Sequence, residues 1–179
     1  MAQKNEQRTQ MIAMAVTVFF IGLLWLYVRE FRIFSNTIGV KGLVWGAMAA
    51  GLLVAVGTLY YFRARFQPLN RHLTELALLV VLSVFFAPLF ASWLNRAFGH
   101  QVEQSFEFVA ERAYLASGYG ILKGEALKPT GYYLDVRQNG QLYRFQYKSQ
   151  AYFPLTRPGE SILLPLRKGL FGVRVVELK

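Results

Sequence analysis

Seven basic side chains near the C-terminal end, Arg137, Arg144, Lys148, Arg157, Arg167, Lys168 and Arg174, are interleaved with Tyr133, Tyr143, Phe145 and Tyr147. Cationic groups contact phosphate and carboxylate, and exposed rings stack on bases. The interleaving therefore suits an acidic protein segment, an anionic lipid or a nucleotide-like ligand. Extended nucleic acid is not expected, because the hairpin described below turns Tyr143, Phe145 and Tyr147 inward, and a ring in a core cannot stack a base.

Catalytic chemistry finds few candidates. Cysteine is absent, so there is no thiol nucleophile, thiolate metal site or disulfide. The two histidines, His72 and His100, flank an apolar run long enough to keep them a membrane thickness apart. The metalloprotease, nucleophile-elbow, phosphate-loop and dinucleotide signatures are missing. Gly118-Tyr119-Gly120 reads as a hinge between elements. Asp135 is spoken for by Arg144, while Glu125, Glu160 and Glu177 fall near strand ends, so no carboxylate pair faces one cleft. We expect no catalytic residue, no metal or cofactor site, and no enzyme.

The elements that would hold the basic cluster begin in lipid. The chain of 179 residues is 54% hydrophobic and 17% charged, against about 25% charged for ordinary soluble domains. The excess lies between residues 11 and 98. Three uncharged or nearly uncharged runs, 11–28, 42–62 and 73–94, each approach or exceed the ~20 residues that span a hydrocarbon core. Aromatic WLYVREF follows the first run in place of small residues, which argues against a cleaved signal peptide.

In the second run Gly42 and Gly46, and Ala47, Gly51 and Ala55, recur at intervals of four. Such small stripes let helix backbones approach, so these five are the candidate packing residues. Pro68 or Asn70 suits the start of the third helix. Pro88 removes a backbone donor within it and predicts a bend near Val84 to Pro88. Glu75 is expected in a solvated position beside Arg71 and His72.

After Gly99 an amphipathic connector helix is expected over 101–117, with Val102, Phe106, Val109 and Ala113 on one face. Glu103, Glu107 and Glu111 then form an acidic stripe. Like charges at that spacing cost a helix ~0.2–0.5 kcal/mol per pair, which docking on the basic domain could offset.

From residue 119 the pattern becomes short strands. Asn139-Gly140 suits a two-residue type I′ turn. That turn sets a register pairing Val136 with Tyr143, Leu134 with Phe145 and Tyr132 with Tyr147 on one face, and Asp135 with Arg144 and Tyr133 with Gln146 on the other. Further strands are expected over 121–126, 161–166 and 171–178. They would form a small antiparallel β domain, curled as in SH3-like or oligonucleotide-binding (OB-like) barrels.

The expected organisation is thus a transmembrane domain of three helices over 1–98, a connector over 99–118 and a basic β domain over 119–179. Ten Lys or Arg against four acids give that last segment a charge of +6, out of +10 for the chain. Flanking charges are nearly equal on the two membrane faces and give no clear orientation. The attraction of a basic domain to an anionic inner leaflet favours a cytoplasmic β domain on a bacterial cytoplasmic membrane. The function expected is a non-catalytic accessory or scaffold subunit that presents the basic domain to a partner protein, a second copy or anionic lipid. The alternative is an effector whose β domain binds a nucleotide-like anion and whose helices then alter membrane permeability.

Overall fold

The computed structural model describes residues 2–68, 71–115, 129–148 and 150–178. Three helices form the first part: α1 (Ala2–Ser35), α2 (Val40–Tyr61) and α3 (Leu73–Ala97). Within them Gln10–Ser35, Val40–Tyr61 and Leu73–Ala97 are long and apolar enough to cross a membrane. Many of their outward side chains are apolar. Val18, Leu53 and Val81 are more than half exposed, an arrangement that water would penalise and hydrocarbon does not.

Tryptophan gathers at one end of the three helices. Trp25, Trp45 and Trp93 are all exposed and sit toward the same end of the bundle, with Tyr60 and Tyr61 at the other. Aromatic belts of this kind settle at the headgroup level.

Helix α2 lies along α3 because its inner stripe is small. A side chain added at Gly51 would come within 2.5 Å of the Ser83 carbonyl and 2.8 Å of the Ala87 methyl. Helix α3 runs on through Pro88. Its N-cap is His72, whose ring nitrogen meets Glu75 at 2.9 Å; Pro68 lies outside the helix, and Asn70 lies outside the described residues. Helix α1 meets α3 through rings, with Phe20 edge-on to Phe86 and Tyr27 against Phe85.

The second part is a six-stranded antiparallel sheet that curls nearly into a barrel, in the order β1-β6-β5-β2-β3-β4. The strands are β1 (Thr37–Ile38), β2 (His100–Tyr114), β3 (Gly131–Gln138), β4 (Gln141–Tyr147), β5 (Ser161–Lys168) and β6 (Arg174–Val176). The β3–β4 hairpin has every pairing expected from its turn. Asn139 and Gly140 both adopt positive φ, 49° and 79°, the backbone a type I′ turn requires.

One expected element is corrected. Residues 101–114 belong to strand β2, not to a connector helix. The same stretch alternates, with Val102, Gln104, Phe106 and Phe108 inward of Glu103, Ser105 and Glu107. Its first half, residues 100–107, pairs with β5 and its second half, residues 107–114, with β3. In a strand, residues four apart are about 13 Å apart, so the glutamate repulsion that disfavours a helix is relieved. A bulge between Phe108 and Ala110 lets this fifteen-residue strand bend around the barrel.

The β domain therefore starts at His100, immediately after Phe98-Gly99, and it recruits β1 from the connection between α1 and α2. Neither was expected. With β2 included, residues 100–179 carry eleven Lys or Arg against seven acids, so the domain is less basic than its last segment alone. The final strand is shorter than expected, Arg174–Val176, and the strand expected over 121–126 lies outside the described residues.

Phe106, Leu134, Val136, Phe145, Leu164 and Leu166 fill the barrel, each at most 2% exposed, and Ile38 of β1 joins them.

Candidate functional site

The seven basic residues do not converge. Arg144 reaches across the hairpin to Asp135, Nε to Oδ1 at 2.7 Å and Nη2 to Oδ2 at 3.2 Å. This hydrogen-bonded carboxylate raises the Arg144 pKa above its ordinary value, so the guanidinium stays charged. Arg137 pairs with Glu107 of β2 at 3.3 Å, both side chains exposed. Arg174 donates to Gln104 of β2. Arg167 Nε lies 2.9 Å from Glu177 but is not aimed at it, which makes that contact an ion pair rather than a hydrogen bond. Lys148, Arg157 and Lys168 are exposed, and among the described residues their side chains have no hydrogen-bond or ion-pair partner.

The rings are mostly core. Phe145 and Tyr147 are each 2% exposed. Tyr143 stacks on Phe145 and Tyr132 on Tyr147. The Tyr147 hydroxyl donates to Glu111, whose carboxylate also accepts the backbone N–H of Tyr152 at 2.9 Å and of Phe153 at 3.2 Å. Glu111 thus ties the β4–β5 connection to β2. Among the described residues no three His, Asp or Glu side chains gather closely enough to hold a metal ion.

The densest polar chemistry lies where helices meet barrel. Asn95 of α3, 1% exposed, donates from Nδ2 to Val173 O at 3.2 Å and accepts the Phe171 N–H at 3.0 Å. Gly169 lies so close that any side chain there would run into Asn95. Arg167 donates to the Arg96 carbonyl at 3.3 Å. The β5–β6 turn is thereby fastened to the end of α3.

One turn of helix away, Glu30 of α1 is 5% exposed. It accepts the Ser92 hydroxyl at 2.5 Å and both bonds from one Arg96 nitrogen, at 2.6 and 2.8 Å. A buried carboxylate is tolerated only when its charge is matched and its lone pairs are filled. Here α3 supplies both, so the pair fixes the barrel-side end of α1 against α3.

Asn36 completes the junction. Its amide donates to Gln146 O and accepts the Gln146 N–H, each at 2.7 Å, while its own carbonyl accepts the Val176 N–H at 2.9 Å. One residue between α1 and β1 therefore bonds both β4 and β6.

Beside this junction lies a cavity of about 630 Å³ between α1 and α3. Leu23, Leu26, Leu89 and Trp93 line it on the hydrocarbon side, and Arg29, Arg32, Arg96 and Lys148 on the barrel side. A smaller cavity of about 250 Å³ shares Arg32, Arg96 and Lys148 and runs on under the barrel to Tyr147 and Val176. Of the seven basic residues singled out in the sequence, Lys148 alone lines either cavity. Its neighbours there come from helix ends, whose arginines read in sequence only as flanking charge.

The small-residue stripe divides. Ala47, Gly51 and Ala55 are buried in α2. Gly42 and Gly46 have open space where a side chain would be, and they line an apolar groove of about 770 Å³ along α2 and α3.

Comparison of the chain with models of protein families, with curated proteins and with solved structures finds no match.

Proposed function

We propose that this protein is a non-catalytic membrane scaffold, whose helices hold a small barrel in a fixed pose so that its outward basic side chains meet an acidic segment of a neighbouring protein. The observation that carries this reading is the junction. Strand β2 leaves α3 after two residues, β1 leaves α1 after one, and Asn95, Asn36 and the Glu30–Arg96 pair fasten what lies between. A barrel meant to swing would sit on a linker. This one has none on the helix side.

Arg157 and Lys168, exposed and without internal partners among the described residues, supply the outward charge, and Arg137 sits in an exposed pair that contributes little internally. The setting that suits this is a bacterial cytoplasmic membrane with the barrel on the cytoplasmic face. Flanking charge is nearly equal on the two faces, so this placement rests on the attraction of the barrel's exposed cations to an anionic inner leaflet. The finer likeness, to SH3-like or OB-like barrels, belongs to the same reading. The effector reading, with a nucleotide-like ligand altering permeability, has less support, because the helix that would relay its signal is strand β2.

The test is extraction of the tagged protein from intact membranes into native lipid discs, followed by mass spectrometry of what co-migrates. The scaffold reading expects a stoichiometric partner that is lost from the Arg157→Glu, Lys168→Glu double variant. A protein recovered alone, or a partner retained by that variant, contradicts it.

A further inference from the structure

The larger polar cavity is built in the order of a phospholipid. Along α1, Leu23 and Leu26 precede Arg29 and Arg32; along α3, Leu89 and Trp93 precede Arg96. Both helices run toward the barrel, so each puts its apolar residues at hydrocarbon depth and its cations at the membrane surface. From Leu23 to Arg29 the helix rises about 9 Å, enough to carry a site from the upper acyl chains to the phosphate. Trp25 and Trp93 lie between, at the headgroup level.

The charge in this cavity is unbalanced. Glu30 is its one acid against four cations, and Arg96 and Ser92 already saturate it. Arg29 lies over the Trp25 ring at 4.7 Å. Among the described residues Arg32 and Lys148 have no side-chain partner, and Arg96 Nε is a buried donor with no acceptor. Cations gathered at a water-poor boundary repel one another unless an anion joins them. The volume of about 630 Å³ falls within the ~300–1,000 Å³ of ordinary small-ligand sites.

We propose that this cavity binds one anionic phospholipid from the leaflet beside the barrel, its phosphate held by Arg29, Arg32 and Lys148 and its acyl chains lying on Leu26, Leu89 and Trp93. Lys148 comes from the end of β4, so the lipid bridges barrel and helices and adds a third component to their junction. This site faces the bilayer and is separate from the outward basic side chains of the barrel; it stands whether or not a protein partner is found. A free phosphate compound would use the same cations but would leave the apolar wall uncovered.

The experiment uses the full chain in detergent micelles, with native mass spectrometry and thermal melting in the presence of dioleoyl phosphatidylglycerol, dioleoyl phosphatidylcholine or soluble glycerol phosphate. The expected result is a one-to-one complex with the anionic lipid, retained at least about tenfold better than the zwitterionic one, together with a raised melting temperature. The Arg32→Gln, Lys148→Gln double variant should lose most of that preference while melting normally without lipid, and the Arg157→Gln, Lys168→Gln pair should keep it. Equal retention of the two lipids by the unmodified protein overturns the proposal, even if the double variant fails to fold. Undiminished preference in a folded double variant also overturns it. Displacement of the lipid by an equal concentration of glycerol phosphate would assign the site to a free phosphate ligand instead.

Discussion

The side-chain amide of Asn36 pairs with the backbone of Gln146 as a neighbouring strand would, donating to its carbonyl and accepting from its N–H at 2.7 Å each. Gln146 lies on β4 and Asn36 directly precedes β1, and these strands are the two edges of the sheet. One amide thus spans the gap between the edges of an open sheet. Asn36→Ala removes both bonds in a buried setting, which costs about 2–3 kcal/mol at ~1 kcal/mol or more for each. Hydrogen exchange should quicken along β4 ahead of β2. Unchanged protection of Gln146 would show that the barrel edge is held by other means.

Asn95 joins the two halves of the protein, and its loss should show at the joint rather than in the barrel core. Asn95→Ala leaves the Phe171 N–H without its acceptor, while the Val173 carbonyl keeps the Gly169 N–H, and about 1–3 kcal/mol is expected for the loss. Limited proteolysis should then cut near Leu170, while the aromatic signature of the barrel persists. Resistance equal to that of the unmodified protein contradicts this role.

Glu30 and Arg96 should behave as a pair. Removing either charge strands the other near the membrane boundary and costs about 3 kcal/mol, toward the lower end because the Arg96 side chain is 25% exposed. The Glu30→Gln, Arg96→Met double variant should recover a substantial part of the loss. Additive losses in a double-mutant cycle would mean that the contact carries no coupling.

The two halves of the small-residue stripe should respond in opposite ways. Gly51→Val forces a side chain into the Ser83 carbonyl and the Ala87 methyl and should cost about 1–3 kcal/mol through overpacking. Gly42→Ala and Gly46→Ala meet open space and should melt like the parent protein. Equal sensitivity at all three positions would contradict this packing.

The helices and the β3–β4 hairpin could be read in sequence because their signals are local. An uncharged run is long enough or it is not, and Asn139-Gly140 fixes a turn whose register follows by counting. Strand β2 was harder, because Val102 and Phe106 belong both to a 3.6-residue face with Val109 and Ala113 and to a two-residue alternation with Gln104 and Phe108. What decides between them is the backbone partners, and those of the first half of β2 lie on β5, as in Phe106 beside Ile162. The junction was out of reach for the same reason. Asn36, Asn95 and Glu30 have unremarkable sequence neighbours, and their partners Gln146, Val173 and Arg96 are contributed by distant segments. Likewise Arg29 and Arg32 read as flanking charge until the fold sets Lys148 beside them.

In the scaffold reading, barrel and helices move as one body. The chain has no cysteine, so Tyr61→Cys and Leu142→Cys introduce unique labelling sites on the exposed far end of α2 and on β4. Spin-label distance measurement between them in lipid discs should give a single narrow distribution, unchanged on adding salt. A broad or multiple distribution would mean that the barrel swings on its helices, and the scaffold account would be wrong.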